Sequence, residues 1–281
     1  MLRLLVFLLA LPVLAQNVDV DISACRGMYG VLKAMRDGKS RDVVTRRLDA
    51  VLDTRAYQLM FKHYNRSWRP NHLPRDVFRR MILSLRFDDT YHAGENERAD
   101  AMRPHWKSYY DNLPSYAKKL RQLERANMKK IVRDGVRYAQ TWLPPGWTIP
   151  SSYLAVMPHG GSSAFAIDGM QGYDFLQLPD DLPSLAGTIA HESHHLGIAL
   201  EAPPSLNERE KLAFRILALM VPEGTATKFV SGPPAGCTPA LAEVPYHIYT
   251  KELEAAWNAR VAEEPEMLKH LHASLESALT G

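Results

Sequence analysis

The segment from residue 142 to residue 150 constrains the fold more than any other part of the sequence. It places three prolines and a glycine within nine residues, and proline lacks the amide hydrogen that a continuing helix requires. From residue 42 to about residue 140, apolar side chains recur three and four positions apart, which predicts helices. We therefore predict an N-terminal helical region over residues 16–141 and a second region over residues 142–281, either as separate units or as one compact domain.

Short apolar segments separated by turn sequences follow this break. Gly-Gly-Ser-Ser at residues 160–163 and Asp-Gly at residues 168–169 favour tight turns. The expected fold class is α+β and predominantly α-helical, with a small antiparallel sheet followed by two further helices and a C-terminal helical segment. The predicted strands are Tyr153–Met157, Ala164–Ile167 and Tyr173–Leu178, and the predicted helices are Ser184–Leu200, Leu206–Val221 and a helix from Leu241 onward.

Composition excludes several classes of protein. Of the 281 residues, 46% are hydrophobic and 23% are charged, which is too apolar for a disordered chain. The net charge of +3 is spread over 34 basic and 31 acidic side chains and gives no reason to expect a nucleic-acid partner. A folded chain with a sizeable hydrophobic core remains.

The first fifteen residues are typical of a secretory signal peptide. Arg3 is followed by an apolar run from Leu4 to Ala15, which is shorter than the roughly 20 helical residues that span a bilayer. Cleavage before Gln16 would release a secreted or periplasmic protein without a membrane anchor.

The chain has two cysteines, Cys25 and Cys237. In the oxidising compartment that export implies, they form either a disulfide or two unpaired thiols, and the sequence leaves both open. With so few cysteines, a metal ion would be held by histidine and carboxylate, which suits a hydrolytic site better than a zinc finger.

The sequence His-Glu-Ser-His-His at residues 191–195 contains an H-E-x-x-H motif inside a predicted helix. At about 100° per residue, His191 and His195 lie about 40° apart and one turn apart, so both imidazoles can bind one zinc ion. Glu192 lies about 60° from His195, where it can reach a water beside that ion and act as a general base. The predicted core face of the same helix comprises Leu185, Ile189, Leu196 and Leu200.

A catalytic zinc site requires a third protein ligand, and two glutamates compete for this place. Glu201 lies six residues after His195, as in a metzincin, but that pattern requires glycine where this chain has Ile198. Glu223 follows a proline that permits a new helix, and the small residues after it allow close approach to the motif helix. We favour Glu223, and Glu201 stays open.

These residues resemble the gluzincin superfamily of thermolysin-like zinc metallopeptidases. More closely, residues 151–230 are similar to exported bacterial proteins classed as zinc-dependent proteases, which pair H-E-x-x-H with a downstream E-G-x-A segment, here residues 223–226. The resemblance implies a zincin-like fold with His191, His195 and Glu223 as zinc ligands and Glu192 as the general base. It also implies that a substrate strand pairs with the edge of the sheet.

Further roles expected in a gluzincin are less well defined in this chain. Where many gluzincins have an aspartate four residues after the ligand glutamate, this chain has Thr227, so support for the ligands must come from elsewhere. Tyr246 and His247 are candidates to stabilise the oxyanion. His194 points about 100° away from His195 on the helix, which favours a supporting or packing role over ligation. Alternative supporting carboxylates are Asp168, Asp174 and Asp180, each equally explained as a turn or cap residue.

We therefore predict an exported zinc metallopeptidase that holds one zinc ion and acts on a peptide or protein substrate. The alternative is a binding or structural protein that retains the site without activity. A structural site would be closed by a fourth protein ligand, for which Glu201 and His194 are the candidates.

Overall fold

The computed structural model describes residues 18–66, 71–144, 146–150 and 153–198, and, beyond these, residues 205–211, 213–214, 218, 226, 269, 273 and 276–277. Within residues 18–198 the chain forms eight α-helices and four β-strands. The helices are α1 (Ser23–Arg36), α2 (Arg41–Leu52), α3 (Arg55–Tyr64), α4 (Arg75–Leu83), α5 (Glu97–Asp111), α6 (Leu113–Arg125), α7 (Met128–Gln140) and α8 (Leu185–Gly197). The strands are β1 (Asp19–Asp21), β2 (Tyr153–Met157), β3 (Ala164–Ile167) and β4 (Met170–Asp174).

The helical spacing before the proline-rich break is confirmed, and it divides into six separate helices, α2 to α7. Their apolar stripes are buried: Val44 and Leu48 on α2, and Phe78 and Ile82 on α4, are fully inaccessible to solvent. Helix α5 begins at an Asn96 cap, whose side chain accepts the amide hydrogen of Ala99. The structure is therefore predominantly α-helical, as the periodicity indicates.

The predicted antiparallel sheet is wrong. The four strands form one mixed sheet in the order β1-β2-β4-β3. Strand β2 pairs in parallel with both β1 and β4, and only β3 and β4 are antiparallel. The physical reason lies in β2, which is apolar and buried at all five positions; such a strand is typical of the centre of a parallel arrangement.

The β3–β4 hairpin also corrects the predicted strand Tyr173–Leu178. Asp168 and Gly169 both have positive φ angles, of 49° and 71°, as a two-residue hairpin turn requires, so pairing resumes directly at Met170. The strand ends at Asp174, whose carboxylate accepts the amide hydrogen of Leu176, and residues Phe175–Gln177 form a 3₁₀ turn.

Strand β1, which the sequence analysis missed, precedes the N-terminal helices and joins the sheet beside β2. It has three residues, Asp-Val-Asp, which is too short and too polar for a periodicity argument. Its pairing places residues from both sides of the proline-rich break in one sheet, and the helices and the sheet share one hydrophobic core.

Cys25 on α1 lies in this core as a free cysteine, and its thiol donates a hydrogen bond to the Val156 carbonyl at 3.1 Å. Its predicted alternative partner, Cys237, lies outside the described residues, as do the signal peptide over residues 1–15 and most of the predicted helices after residue 205. Among the described helices, none has the length and apolar character needed to cross a membrane.

Candidate metal centre

Helix α8 carries the H-E-x-x-H motif and packs tightly against α7. Small residues make this close approach possible: a methyl group built on Gly135 of α7 would lie 2.6 Å from the carbonyl oxygen of Ala186 and 2.8 Å from Ile189. The predicted core face is confirmed where it is described, since Leu185 and Ile189 are buried and Leu196 packs against the core. The fold therefore fixes which side of α8 can face a ligand.

The two motif imidazoles converge. The Nε2 atoms of His191 and His195 are 3.0 Å apart, and their rings are nearly perpendicular, at 80°. Two nitrogen ligands of a tetrahedral zinc ion, each at 2.0–2.1 Å, are separated by about 3.3 Å. The two imidazole nitrogens therefore have the chemistry and nearly the separation expected of two ligands of one zinc ion.

Glu192 is buried beside this pair, with 9% of its surface exposed. Burial, and then the negative charge of Glu192, raises the pKa of the Tyr173 phenol on β4. A phenol held neutral in this way can stand near a carboxylate without adding a second charge. Glu192 is thus a buried residue of the motif whose charge acts on the sheet at Tyr173.

A buried hydrogen-bonded chain joins the sheet to α8 next to Glu192. The Tyr173 hydroxyl donates to Gln171 Oε1 at 2.5 Å, and Gln171 Nε2 donates to the Ser193 hydroxyl at 2.9 Å. All three side chains are fully buried. Sequence reasoning missed this connection, because neither Gln171 nor Ser193 belongs to a motif and their contact depends on the tertiary fold.

His194 lies on the core side of α8. Burial, followed by the neighbouring imidazoles of His195 and His191, lowers the pKa of His194 to about 4, so the ring is neutral at physiological pH. It forms a hydrogen bond with the backbone of Trp142, and within the described structure its buried Nδ1 atom has no hydrogen-bond partner. This arrangement anchors α8 to the end of α7.

The three aspartates considered as supporting carboxylates have other surroundings. Asp168 occupies the hairpin turn and forms an ion pair with Lys62. Asp174 accepts the amide hydrogens of His159 and Gly160, at 3.1 Å and 3.0 Å, and so closes the loop after β2. Asp180 is exposed.

The remaining predicted site residues, Glu201, Glu223, Tyr246 and His247, lie outside the described residues. Within the part of the chain that is described, no three His, Cys, Asp or Glu side chains group around one point. Of the predicted site, the described part therefore contains the two converging imidazoles and the neighbouring carboxylate of Glu192.

Strand β3 forms an edge of the sheet beside α8. The two-residue turn makes Ile167 and Met170 a hydrogen-bonded pair, so the backbone groups of Ala164 and Ala166 point away from β4. Arg66 confirms this direction, because its guanidinium donates to the Ala166 carbonyl at 3.1 Å. The outward groups of Ala164 lie on the same edge, next to the motif helix.

A helix that presents two converging imidazoles and a buried carboxylate, backed by a small mixed sheet, defines the class of helix-borne H-E-x-x-H proteins. Over residues 48–277 the chain matches the family described as "Putative zinc dependent peptidase (DUF5700)". This match covers most of the chain, and the protein belongs to that family. No curated protein and no solved structure matches the chain.

Proposed function

We propose that the protein is an exported zinc metallopeptidase of the gluzincin type. The observation that carries this proposal is the 3.0 Å approach of the His191 and His195 Nε2 atoms with Glu192 buried beside them. Membership of a family described as zinc dependent peptidases supports both the metal and the reaction class. Export rests on the signal-peptide character of residues 1–15.

In this proposal His191, His195 and Glu223 hold one zinc ion. When bound, zinc supplies Lewis-acid chemistry, which lowers the pKa of water and polarises a carbonyl group. Glu192 takes the proton of the water that attacks the peptide carbonyl and then delivers it to the leaving amine. Tyr246 or His247 would donate a hydrogen bond to the oxyanion.

The substrate is proposed to be an extended peptide that lies along β3. Strand addition needs free backbone groups on an edge strand, and the outward groups of Ala164 meet this need. The carbonyl of Ala166 is shared with Arg66, so a peptide that pairs along the whole edge has to displace the guanidinium or pair beyond it.

The proposed role of Glu192 is tested with Glu192→Gln, which keeps the shape of the side chain and removes the base. We expect this variant to bind zinc like the parent protein and to hydrolyse peptides at least about 100-fold more slowly. The measurements are zinc content and the hydrolysis of a mixed peptide library followed by mass spectrometry. Glu97→Gln, an exposed glutamate in the first turn of α5, is the matched control.

Equal hydrolysis by the Glu192→Gln variant and the parent would contradict the mechanism. Stoichiometric zinc in a parent protein that cleaves no peptide in the library would favour the non-catalytic alternative instead.

The third ligand is tested by comparing Glu223→Ala with Glu201→Ala. We expect Glu223→Ala to lose zinc during dialysis against a weak chelator and Glu201→Ala to retain it, because removing one of three ligands weakens metal binding by orders of magnitude. Metal analysis of both dialysed proteins is the measurement. Loss from Glu201→Ala with retention by Glu223→Ala would assign the third ligand to Glu201.

A further inference from the structure

Helices α6 and α7 carry a concentrated excess of positive over negative charge. Residues 113–140, which include both helices, contain eight basic and two acidic side chains, a net charge of +6. Because the whole chain has a net charge of +3, the other residues together carry −3. The modest overall charge therefore conceals a strong asymmetry.

The two acidic residues in this segment already have basic partners. Glu124 pairs with Arg26 of α1 at 2.7 Å, and Asp134 pairs with Lys130 at 2.6 Å. Five further cations of α6 and α7 are exposed, and among the described residues no carboxylate forms an ion pair with them. These five, which we call the basic face, are Lys118, Arg121, Arg125, Lys129 and Arg133.

An exposed tryptophan adjoins the basic face. On α7, Lys129, Arg133 and Gln140 lie within about 40° of one another around the helix axis. The Gln140 amide donates to the Trp147 carbonyl at 2.7 Å and accepts the amide hydrogen of Ile149 at 3.1 Å. The loop that carries Trp147 is thus fixed to the C-terminal end of α7, beside the basic face. In the described structure, Trp147 is the one large hydrophobic side chain that is exposed, at 39%.

This charge arrangement opposes the stability of α7. Lys129 and Lys130 lie in its first turn, where the helix dipole favours negative charge. Lys129 and Arg133 are four residues apart, and so are Arg133 and Arg137, which brings like charges together. Unfavourable surface charge of this kind is expected where a partner of opposite charge compensates for it.

We propose that the basic face and Trp147 form a docking surface for an anionic lipid bilayer. Lysine and arginine bind lipid phosphates electrostatically, and an indole at the end of a basic stripe suits the headgroup layer, where tryptophan is enriched. The same helix, α7, packs on its opposite side against Ala186 and Ile189 of α8. His191 and His195 lie about 170° around α8 from this contact, so docking would hold the candidate metal centre about two helix diameters, roughly 20 Å, from the membrane surface. This inference does not depend on peptidase activity.

The test is co-sedimentation of the full chain with vesicles. The vesicles contain equal parts phosphatidylglycerol and phosphatidylcholine, or phosphatidylcholine alone. We expect binding to the anionic vesicles only, with release at high salt, because salt screens this attraction. Each cation near such a surface contributes about fivefold to partitioning, so Lys129→Glu/Arg133→Glu is expected to weaken binding at least about 25-fold.

The matched control is Arg46→Glu/Arg47→Glu, which changes the charge equally on exposed arginines of α2, and it is expected to bind like the parent. Trp147→Ala is expected to weaken binding while keeping its salt dependence. Melting curves verify that each variant is folded. Equal binding to both vesicle types, equal losses in both double variants, or tighter binding to a DNA duplex than to anionic vesicles would overturn the proposal.

Discussion

Ser193 shows how a single hydroxyl can position the motif residues. It lies between Glu192 and His194 on α8 and accepts a side-chain hydrogen bond from Gln171 of β4 at 2.9 Å. Because the contact is fully buried, the Gln171 amide cannot turn to water if its partner is removed. The rotation of α8, and with it the direction of Glu192, is therefore tied to the sheet.

We expect Ser193→Ala to lower the free energy of unfolding by about 1–3 kcal/mol, the cost of leaving a buried donor without its acceptor. Zinc affinity should fall as well, because α8 loses its polar link to β4. Urea denaturation and competition with a chromogenic chelator measure the two effects. Ser108→Ala, on the exposed face of α5, is the control and should change neither; the same stability loss in the control would contradict the assignment.

At this scale the sequence predicts what is local. The spacing of His191 and His195 determines their convergence, because four residues are about one helical turn, and the structure brings their Nε2 atoms together. The link from Gln171 to Ser193 joins residues 22 positions apart, and no local pattern records such a contact. Residues that support a site without belonging to its motif are therefore identified only from the tertiary structure.

Among the elements, the close packing of α7 against α8 depends on a glycine, Gly135, at their contact. Gly135 allows the backbone of α8 to approach so closely that a methyl group in its place would overlap both Ala186 and Ile189. Interiors packed at this density resist an added carbon.

We expect Gly135→Ala to destabilise the protein by about 1–3 kcal/mol through overpacking. Displacement of α8 should also weaken zinc binding. Gly30→Ala in α1 is the counterpart, because no atom lies within 4 Å of an added methyl group there, and it should stabilise the protein by roughly 0.5–1 kcal/mol through helix propensity. Chemical denaturation distinguishes the two; equal effects would show that helix propensity, and not the contact, decides.

The elements also show where sequence patterns stop. Helices and the Asp168-Gly169 turn follow from local spacing and turn chemistry, and both are confirmed. Strand direction does not follow, since β4 inserts between β2 and β3 and so runs parallel to β2. The apolar character of β2 favours a central, parallel position, but which strands flank it is decided only by the tertiary fold.

For the whole molecule, the buried imidazole of His159 makes stability depend on pH. Burial lowers the pKa of His159, and the nearby charge of Asp174 offsets only part of this effect. The unfolded chain, with a histidine pKa of about 6.5, therefore takes up a proton that the folded chain excludes. This stabilisation is complete above about pH 6.5 and is lost as the pH falls toward the lowered pKa.

We expect the melting temperature to fall between about pH 7.5 and about pH 5.5, and His159→Asn to reduce that fall. In the parent protein, Nδ1 of His159 accepts the amide hydrogen of Gly161 at 3.1 Å. Asparagine is chosen because its side-chain oxygen is an acceptor at the same place. The measurement is the difference in melting temperature between the two pH values for each protein, which separates titration from any general loss of stability. An unchanged difference in the variant would exclude His159 as the titrating group.

The parallel pairing of β1 with β2 has a consequence for the order of folding. Asp19 of β1 pairs with Tyr153 of β2. Strand β1 is therefore synthesised first but can pair only after the seven helices that precede β2 in the sequence have been made. Contacts between residues so far apart in the sequence form slowly, because closing the long intervening loop costs conformational entropy before the contact stabilises the chain. The two aspartates among the three residues of β1 disfavour pairing of this strand with other chains while β2 is absent. The helices can fold locally before the sheet is completed.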